Sequence, residues 1–238
     1  MNKIILLLII IVLVAISYPL HAKVENQTEC VILMHGLGDL KLSMLKLKAE
    51  IKSAGYATYN VGYPFGKKVE EIAEDEFAEA IEACQNYAKI HLVTHSMGGL
   101  IARYYLTQNQ LPSGSRIVML SPPNQGSQVA DYFEDSRLYQ LFYGAAGQDV
   151  STDSDLLGKL EPLNYEVGII AGDRSFNPFF SDLLPGADDG KVAVQSTKLA
   201  EMTDFMTISA THLMIKYHPE VAEQTIYFLQ HGKFEVKD

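Results

Sequence analysis

The sequence predicts an α/β domain built on a mostly parallel β-sheet with helices on both faces. Apolar runs of strand length alternate with amphipathic helical stretches along most of the chain, which is the pattern of a parallel sheet. Polar candidates for chemistry follow predicted strands at His35-Gly36, Ser96 and His212, or precede one at Asp189. Ligands of such sheets bind beyond the carboxyl ends of the strands. With 238 residues, 47% of them hydrophobic, the chain is long enough for one domain with a sizeable core.

The individual elements follow from the length and spacing of the apolar residues. Predicted strands cover residues 30–34, 57–61, 90–93, 116–121, 167–171, 192–194 and 205–209. Predicted helices cover residues 41–54, 69–88 and 219–231, and another helix begins after Ser96. Residues 124–161 contain no clear strand. We therefore expect residues 125–161 to form a small helical cap inserted into a single domain that spans residues 23–238.

Residues 1–22 have the features of a secretory signal peptide. Lys3 supplies a positive charge, residues 4–16 are an unbroken run of thirteen apolar residues, and Ala22 marks a cleavage site. The alternative is an uncleaved N-terminal anchor, although the apolar run is shorter than the roughly 20 residues of a membrane span. We expect an exported protein, periplasmic or secreted, with attachment to the inner membrane as the alternative.

The net charge and the two cysteines limit the chemistry further. A formal net charge of −10 argues against nucleic acid as the partner, because the phosphate backbone attracts basic surfaces. An exported protein can keep a disulfide. Cys30 and Cys84 therefore form either a bridge or two buried thiols, and the sequence favours neither.

A serine at the end of a predicted strand is the first candidate for catalysis. The apolar residues 90–93 lead into Ser96, Gly98 and Gly99 follow, and apolar residues at helical spacing come next. This arrangement is typical of a nucleophile elbow, a strained turn that exposes the serine hydroxyl above the sheet. The sequence departs from the Gly-x-Ser-x-Gly pattern at Thr94. The alternative interpretation is an ordinary helix start with a serine N-cap.

A nucleophilic serine needs a base, which is usually a histidine. When the serine stands on such an elbow, the acid and then the histidine come later in the chain. We predict His212 as the base, because it directly follows the strand predicted at 205–209. His218 and His231 are the alternatives.

A carboxylate must orient that histidine. We predict Asp189, which with Gly190 precedes the strand predicted at 192–194. Asp173 and Asp188 are the alternatives, and all three aspartates could also serve only in turns.

The glycine-rich segment His35-Gly36-Leu37-Gly38 follows the first predicted strand. Backbone N–H groups in such a loop can stabilise a developing oxyanion. The predicted donors are the N–H groups of Leu37 and of Met97, at the start of the helix after the serine. We expect His35 to brace the loop and His95 to pack beside the serine, rather than to take part in the chemistry.

Together these segments resemble the α/β-hydrolase superfamily, and more closely its bacterial lipase- and esterase-like branch. The matching segments are residues 31–37, 93–99, 121–127, 189–192 and 211–212, so they extend from the first strand almost to the C-terminal helix. The resemblance implies an α/β-hydrolase fold with neither a metal nor an organic cofactor. It also implies that this branch tolerates the replacement of glycine two residues before the serine.

The same resemblance implies the roles of the site residues. Ser96 is the nucleophile, Asp189 the acid and His212 the base, while the N–H groups of Leu37 and Met97 form the oxyanion hole. The expected function is a serine carboxylic ester hydrolase that works through an acyl-enzyme. Its expected partners are an acyl ester or lipid substrate and, transiently, a lipid surface. The alternatives are a phospholipase or acyltransferase with the same triad, or a non-catalytic exported binding protein of the same fold.

Two groups of aromatic and leucine residues have two interpretations. They either line an acyl-chain site or a mobile cap, or they form the core of ordinary helices. The first group is Tyr132, Phe133, Leu138, Tyr139, Leu141, Phe142 and Tyr143, and the second is Phe176, Phe179 and Phe180.

Overall fold

The computed structural model describes residues 28–64 and 66–236. The predicted signal peptide, residues 1–22, lies outside these ranges. No helix within the described ranges combines the length and the apolar composition that a membrane span requires.

Six strands form one sheet in the order β2-β1-β3-β4-β5-β6, and every pairing between them in the described part of the chain is parallel. The strands are β1 (Glu29–Met34), β2 (Ala57–Val61), β3 (Lys89–His95), β4 (Arg116–Leu120), β5 (Glu166–Gly172) and β6 (Asp204–Ile208). The predicted parallel α/β architecture is therefore confirmed.

Helices connect these strands. They are α1 (Leu45–Ser53), α2 (Val69–Ile72), α3 (Ala78–Ala83), α4 (Gly98–Leu106), α5 (Gln128–Phe133), α6 (Arg137–Asp149), α7 (Pro178–Leu183) and α8 (Pro219–His231). A π-helical turn, Ala73–Phe77, joins α2 to α3, and 3₁₀ helices lie at Lys41–Met44, Leu157–Lys159, Val194–Thr197 and Ile215–Tyr217. Helices α5 and α6 lie in the segment expected to form a cap, and α6 is interrupted at Gly144.

Each face of the sheet has its own apolar core, because successive strand residues point to opposite sides. On one face, Leu47 of α1 and Phe228 of α8 pack with Val31, Leu33 and Val93. The other face is covered by α2, the π-helical turn and α4, and its core includes Ile32, Met34, Ile72, Phe77, Leu92 and Leu100.

The chain changes direction across the sheet between β1 and β3. From β1 it passes to its neighbour β2 on one side, and then crosses back to β3 on the other side. A crevice opens at such a switch point beyond the carboxyl ends of the strands. The loop that begins at His35 and the serine at position 96 follow these two strands, so the topology places them beside each other.

Three predicted elements differ from the structure. Residues 192–194 form no strand, because the chain there wraps around the carboxylate of Asp189 and contributes only an isolated bridge, Asp188 to Ala193. The helix predicted over 69–88 contains the π-helical turn and its last helical element ends at Ala83. Helix α7, which Asn177 caps with its side chain, was not predicted.

Cys30 and Cys84 form a disulfide with their Cα atoms 6.0 Å apart. The bridge ties β1 to the residue after α3, and both cysteines are buried in the core that α2 and α4 share. Joining Cys30 to Cys84 closes the chain between them into a loop and restricts the conformations of the unfolded chain, which stabilises the folded protein.

Candidate active site

Ser96 occupies a strained turn between β3 and α4. Its φ angle is +53°, in the left-handed region that residues other than glycine seldom adopt. Its N–H donates to the carbonyl of Leu120 at 2.9 Å, and its own carbonyl accepts from the N–H of Gly99 at 2.9 Å. These bonds hold the turn in place, and the hydroxyl points to the carboxyl edge of the sheet, as a nucleophile elbow requires.

Glycine makes room for this turn. A β-carbon at Gly98 would lie 2.8 Å from the carbonyl oxygen of His35. Thr94, the departure from the sequence pattern, is fully buried. A β-carbon at Gly99 would lie 3.0 Å from the β-carbon of Pro122 and 3.4 Å from the Thr94 hydroxyl, so the glycine lets α4 start close to Pro122. The β-branched residue is accommodated within β3.

The structure brings Ser96, His212 and Asp189 together. The Ser96 Oγ lies 2.9 Å from Nε2 of His212, and Nδ1 of His212 lies 2.7 Å from Oδ2 of Asp189. His212 stands in the loop after β6, and its N–H donates to the Asp189 carbonyl at 2.9 Å. The side chain of His212 is thus oriented by a carboxylate and directed at the serine hydroxyl.

The Asp189 carboxylate is buried but fully hydrogen-bonded. Its Oδ1 accepts from the N–H groups of Lys191 at 3.0 Å and Val192 at 2.8 Å. Burial acts to raise its pKa, but the charge of His212 and the hydrogen bonds with His212, the Ser121 hydroxyl and the Val192 N–H outweigh it. The pKa of Asp189 is therefore lowered, and the group is ionised at neutral pH.

The alternative candidates lie in other environments. Asp188 is turned to the hydroxyl of Ser181 and the N–H of Gly190, and Asp173 is exposed. His218 is the N-cap residue of α8. His231 is exposed and contacts the Tyr227 carbonyl through Nδ1. None of the four has a hydrogen bond to Ser96 among the contacts that the described residues make.

Two N–H groups are available beside the serine. Met97 begins the turn into α4, and Leu37 lies in the loop after β1. Within the described part of the chain, neither N–H donates a hydrogen bond to another protein group. Free N–H groups at a helix start and in a tight loop are suited to hold an oxyanion.

The loop after β1 is braced as expected. The ring of His35 stacks on Tyr63 with 4.0 Å between ring centres, and the Tyr63 hydroxyl donates a short hydrogen bond to the His35 carbonyl. Burial lowers the pKa of His35, so it is neutral at neutral pH. The ring of Tyr143 from α6 lies over Gly38, where a β-carbon would meet it at 2.6 Å. Helix α6 therefore packs directly on the candidate oxyanion loop.

Sequence reasoning did not identify several residues around the triad. Ser121, at φ +44°, accepts from the N–H of Gly172 at 3.1 Å and hydrogen-bonds Asp189. Asp39 and Lys216 form an ion pair next to His95, whose Nε2 donates to the His212 carbonyl. Ser121 is the last residue of the strand predicted at 116–121, and this position at a strand end could have marked it as a site residue. The ion pair joins distant parts of the chain and has no local pattern.

Some members of the two groups of aromatic and leucine residues belong to a helix core, and others are exposed and could line a substrate site. Phe133, Tyr139, Tyr143 and Phe180 are partly buried and contact one another or their neighbours edge-on or stacked. The other members are exposed on α5, α6 and α7 or the loop before α7: Tyr132, Leu138, Leu141, Phe142, Phe176 and Phe179. The exposed members are not part of a helix core.

The described residues contain no group of three His, Cys, Asp or Glu side chains that could hold a metal ion. The site as it stands offers a serine, a histidine, a carboxylate and two N–H donors. These are the groups that acyl transfer through a serine requires.

No protein-family model and no curated protein matches the sequence. Solved structures share its fold. The mature form of lipase BlEst2 from Bacillus licheniformis aligns with a TM-score of 0.66 at 17% identity, over 87% of this chain and 93% of that chain.

Two further structures are similar in the same way. Phospholipase PlaB from Legionella pneumophila, in complex with thio-NAD, has a TM-score of 0.66 at 17% identity over 87% of this chain, which spans 59% of PlaB. A monoacylglycerol lipase from Paleococcus ferrophilus has a TM-score of 0.58 at 20% identity, over 85% of this chain and 94% of that chain. These likenesses confirm the α/β-hydrolase fold that the sequence resemblance implied.

Proposed function

We propose that this protein is a serine carboxylic ester hydrolase of the lipase or esterase kind. One observation carries the proposal: an unbroken chain of hydrogen bonds runs from Ser96 through His212 to the buried carboxylate of Asp189. It ends beside two N–H groups, of Leu37 and Met97, that have no other partner in the described part of the chain.

The first half of the proposed reaction forms an acyl-enzyme. His212 takes the proton of the Ser96 hydroxyl through Nε2 as the oxygen attacks the ester carbonyl. The carbonyl oxygen becomes negative, and the N–H groups of Leu37 and Met97 stabilise it; the loss of one such donor typically costs about 10²–10³ in rate. His212 then gives its proton to the leaving alcohol, and the acyl group stays on Ser96.

The second half repeats these steps with water in place of the serine. His212 removes a proton from the water, which attacks the acyl-enzyme, and the proton returns to Ser96 as the acid leaves. Asp189 stabilises the protonated imidazole at both stages. Its lowered pKa supports this role, because the carboxylate must stay ionised while His212 carries a positive charge.

The surroundings of the site favour an apolar acyl group. Exposed apolar side chains of α6, Leu138, Leu141 and Phe142, lie on the helix whose Tyr143 covers the candidate oxyanion loop. Leu213 and Met214, directly after His212, are also exposed. Such a concentration of exposed apolar surface fits a lipid substrate and transient contact with a lipid surface. The names of the structurally similar lipases support the same substrate class.

A phospholipase or an acyltransferase would use the same groups. The fold likeness to phospholipase PlaB is the observation that favours the first of these alternatives. Comparing glycerol ester with phospholipid as substrates, and water with an added alcohol as acceptors, distinguishes them from a simple esterase.

The test is hydrolysis of p-nitrophenyl esters from short to long acyl chains. We expect turnover by the wild-type protein and its loss, by a factor of at least about 10³, in Ser96→Ala. Ser53→Ala, which alters an exposed serine of α1, is the matched control and should keep full activity. Undiminished turnover in Ser96→Ala would place the chemistry elsewhere. A folded wild-type protein without turnover on any ester would favour the non-catalytic binding protein.

A further inference from the structure

A buried ion pair joins the loop after β1 to the loop after β6. Nζ of Lys216 lies 2.7 Å from Oδ2 of Asp39, and the two side chains are 2% and 19% exposed. Removing two charges from water is costly, and such a pair adds little to stability compared with apolar residues of the same size. The pair links the loops that carry Leu37 and His212, which points to a role other than stability.

Asp39 fixes the loop that presents the N–H of Leu37. Its own N–H donates to the Gly36 carbonyl at 3.3 Å, which closes a turn around Leu37. Its Oδ1 accepts from the N–H of Leu40 at 2.9 Å, while Oδ2 meets Lys216. The backbone of Asp39 therefore closes the turn, and its carboxylate links the end of that turn to Lys216, outside the loop.

Lys216 fixes the loop that carries His212. It lies in the 3₁₀ helix Ile215–Tyr217. The N–H of Ile215 donates to the carbonyl of Thr211 at 3.0 Å, so His212 sits inside one continuous hydrogen-bonded turn that leads to Lys216. A shift of Lys216 would move that turn.

His95 fills the space between the two loops. Its Nε2 donates to the carbonyl of His212 at 2.8 Å, and its Nδ1 lies 4.0 Å from Oδ2 of Asp39 with no hydrogen bond. Burial, with the nearby charges of His212 and Lys216, lowers the pKa of His95 well below its usual value. The ring is therefore a neutral spacer that contacts the backbone of His212.

We propose that Asp39 and Lys216 are positioning residues, which hold the N–H of Leu37 and the imidazole of His212 in register across His95. This inference deepens the proposed function and rests on it. In the proposed reaction the Leu37 N–H binds the carbonyl oxygen and His212 transfers the protons, so both must be correctly placed around Ser96 at the same time. A misplacement of about 1 Å can cost about 10² in rate.

The test is a double-mutant cycle with Asp39→Asn, Lys216→Met and the two changes combined. We expect each single variant to lower kcat for a p-nitrophenyl ester by about 10- to 100-fold while KM changes less than about threefold. The double variant should lose no more than the worse single variant, because both changes break the same connection. Asp39→Asn keeps the side-chain shape and the acceptor for Leu40 but leaves the Lys216 charge unpaired, whereas the double variant removes both charges. The double variant should therefore fold even where a single variant does not, and its kcat should show the same 10- to 100-fold loss.

An exposed ion pair supplies the matched control. Lys159→Met and Glu70→Gln remove a pair with 2.6 Å between Nζ and Oε1 on the surface near α2, and we expect kcat to stay within twofold of wild type. Folded Asp39→Asn and Lys216→Met proteins that also keep kcat within twofold, with only the unfolding temperature lowered, would overturn the proposal. A loss that is additive in the double variant would overturn it as well.

A second readout separates this inference from the proposed function. The Nδ1 proton of His212, held by Asp189, gives a low-field proton NMR resonance that does not depend on turnover. We expect it to exchange with water faster in Asp39→Asn than in wild type. An unchanged resonance in that variant contradicts the positioning role, whereas absence of turnover in wild type contradicts the esterase and leaves this measurement valid.

Discussion

Gly36 and Ser96 face each other just beyond the carboxyl ends of the neighbouring strands β1 and β3. A β-carbon on Gly36 would lie 2.8 Å from the β-carbon of Ser96 and 3.1 Å from Nδ1 of His95. No side chain fits in that space without displacing the serine. The glycine-rich loop is therefore close enough for the N–H of the next residue, Leu37, to donate a hydrogen bond to the oxygen of a carbonyl bound at Ser96.

The first prediction concerns this contact. Gly36→Ala should lower kcat by about 10²-fold, because the added methyl group pushes apart the serine and the Leu37 N–H. Steady-state kinetics on a p-nitrophenyl ester measure it. Gly158→Ala is the matched control, since a β-carbon there meets nothing within 4 Å. A Gly36→Ala enzyme with wild-type kcat would show that the loop does not contribute to the oxyanion hole.

The second prediction concerns the group that orients Asp189. Ser121 hydrogen-bonds the carboxylate and is itself held by the N–H of Gly172. We expect Asp189→Asn to lower kcat by about 10⁴, because the amide favours the wrong tautomer of His212. Ser121→Ala leaves the carboxylate in place and should cost only about tenfold. Equal effects of the two changes, or none from Ser121→Ala, would contradict the role assigned to this serine.

The third prediction is a loss of stability in mild acid. Burial lowers the pKa values of His35, His91 and His95, so each is protonated in the unfolded chain before it is protonated in the folded protein. The unfolded state then binds more protons, and the free energy of unfolding falls as pH drops below about 6.5. Each histidine that stays neutral contributes about 1.4 kcal/mol per pH unit until its folded pKa is reached.

Urea unfolding between pH 8 and pH 5 measures this slope. His95→Gln should make the slope shallower by about 1.4 kcal/mol per pH unit, because one buried neutral histidine is removed. His231→Gln changes an exposed histidine and should leave the slope as it is. If the free energy of unfolding of the wild-type protein does not change between pH 8 and pH 5, the buried neutral histidines do not contribute to its stability as predicted.

Much of the site could be predicted from local signals. The strand before Ser96, the glycines after it and the position of His212 after β6 each follow from a few neighbouring residues. Because parallel strands end at one edge of the sheet, these local patterns were enough to place Ser96 and His212 near each other. Asp189 was predicted beside a strand at 192–194 that the structure does not contain.

The remainder depends on contacts between distant residues. The segment at 192–194 is apolar enough for a strand, but the two N–H groups that bind the Asp189 carboxylate take it out of the sheet. Asp39 and Lys216 look like surface residues in the sequence, and only the folded chain brings them to 2.7 Å. Whether the two cysteines meet was also undecided until β1 and α3 were placed.

The central claim is that Ser96 is a nucleophile activated by His212. Reaction with a fluorophosphonate, followed by mass spectrometry of the peptides, tests it most directly. We predict one adduct per chain, on Ser96, and loss of labelling in Ser96→Ala and His212→Gln. A folded wild-type protein that stays unlabelled, or an adduct on any other residue, would contradict it.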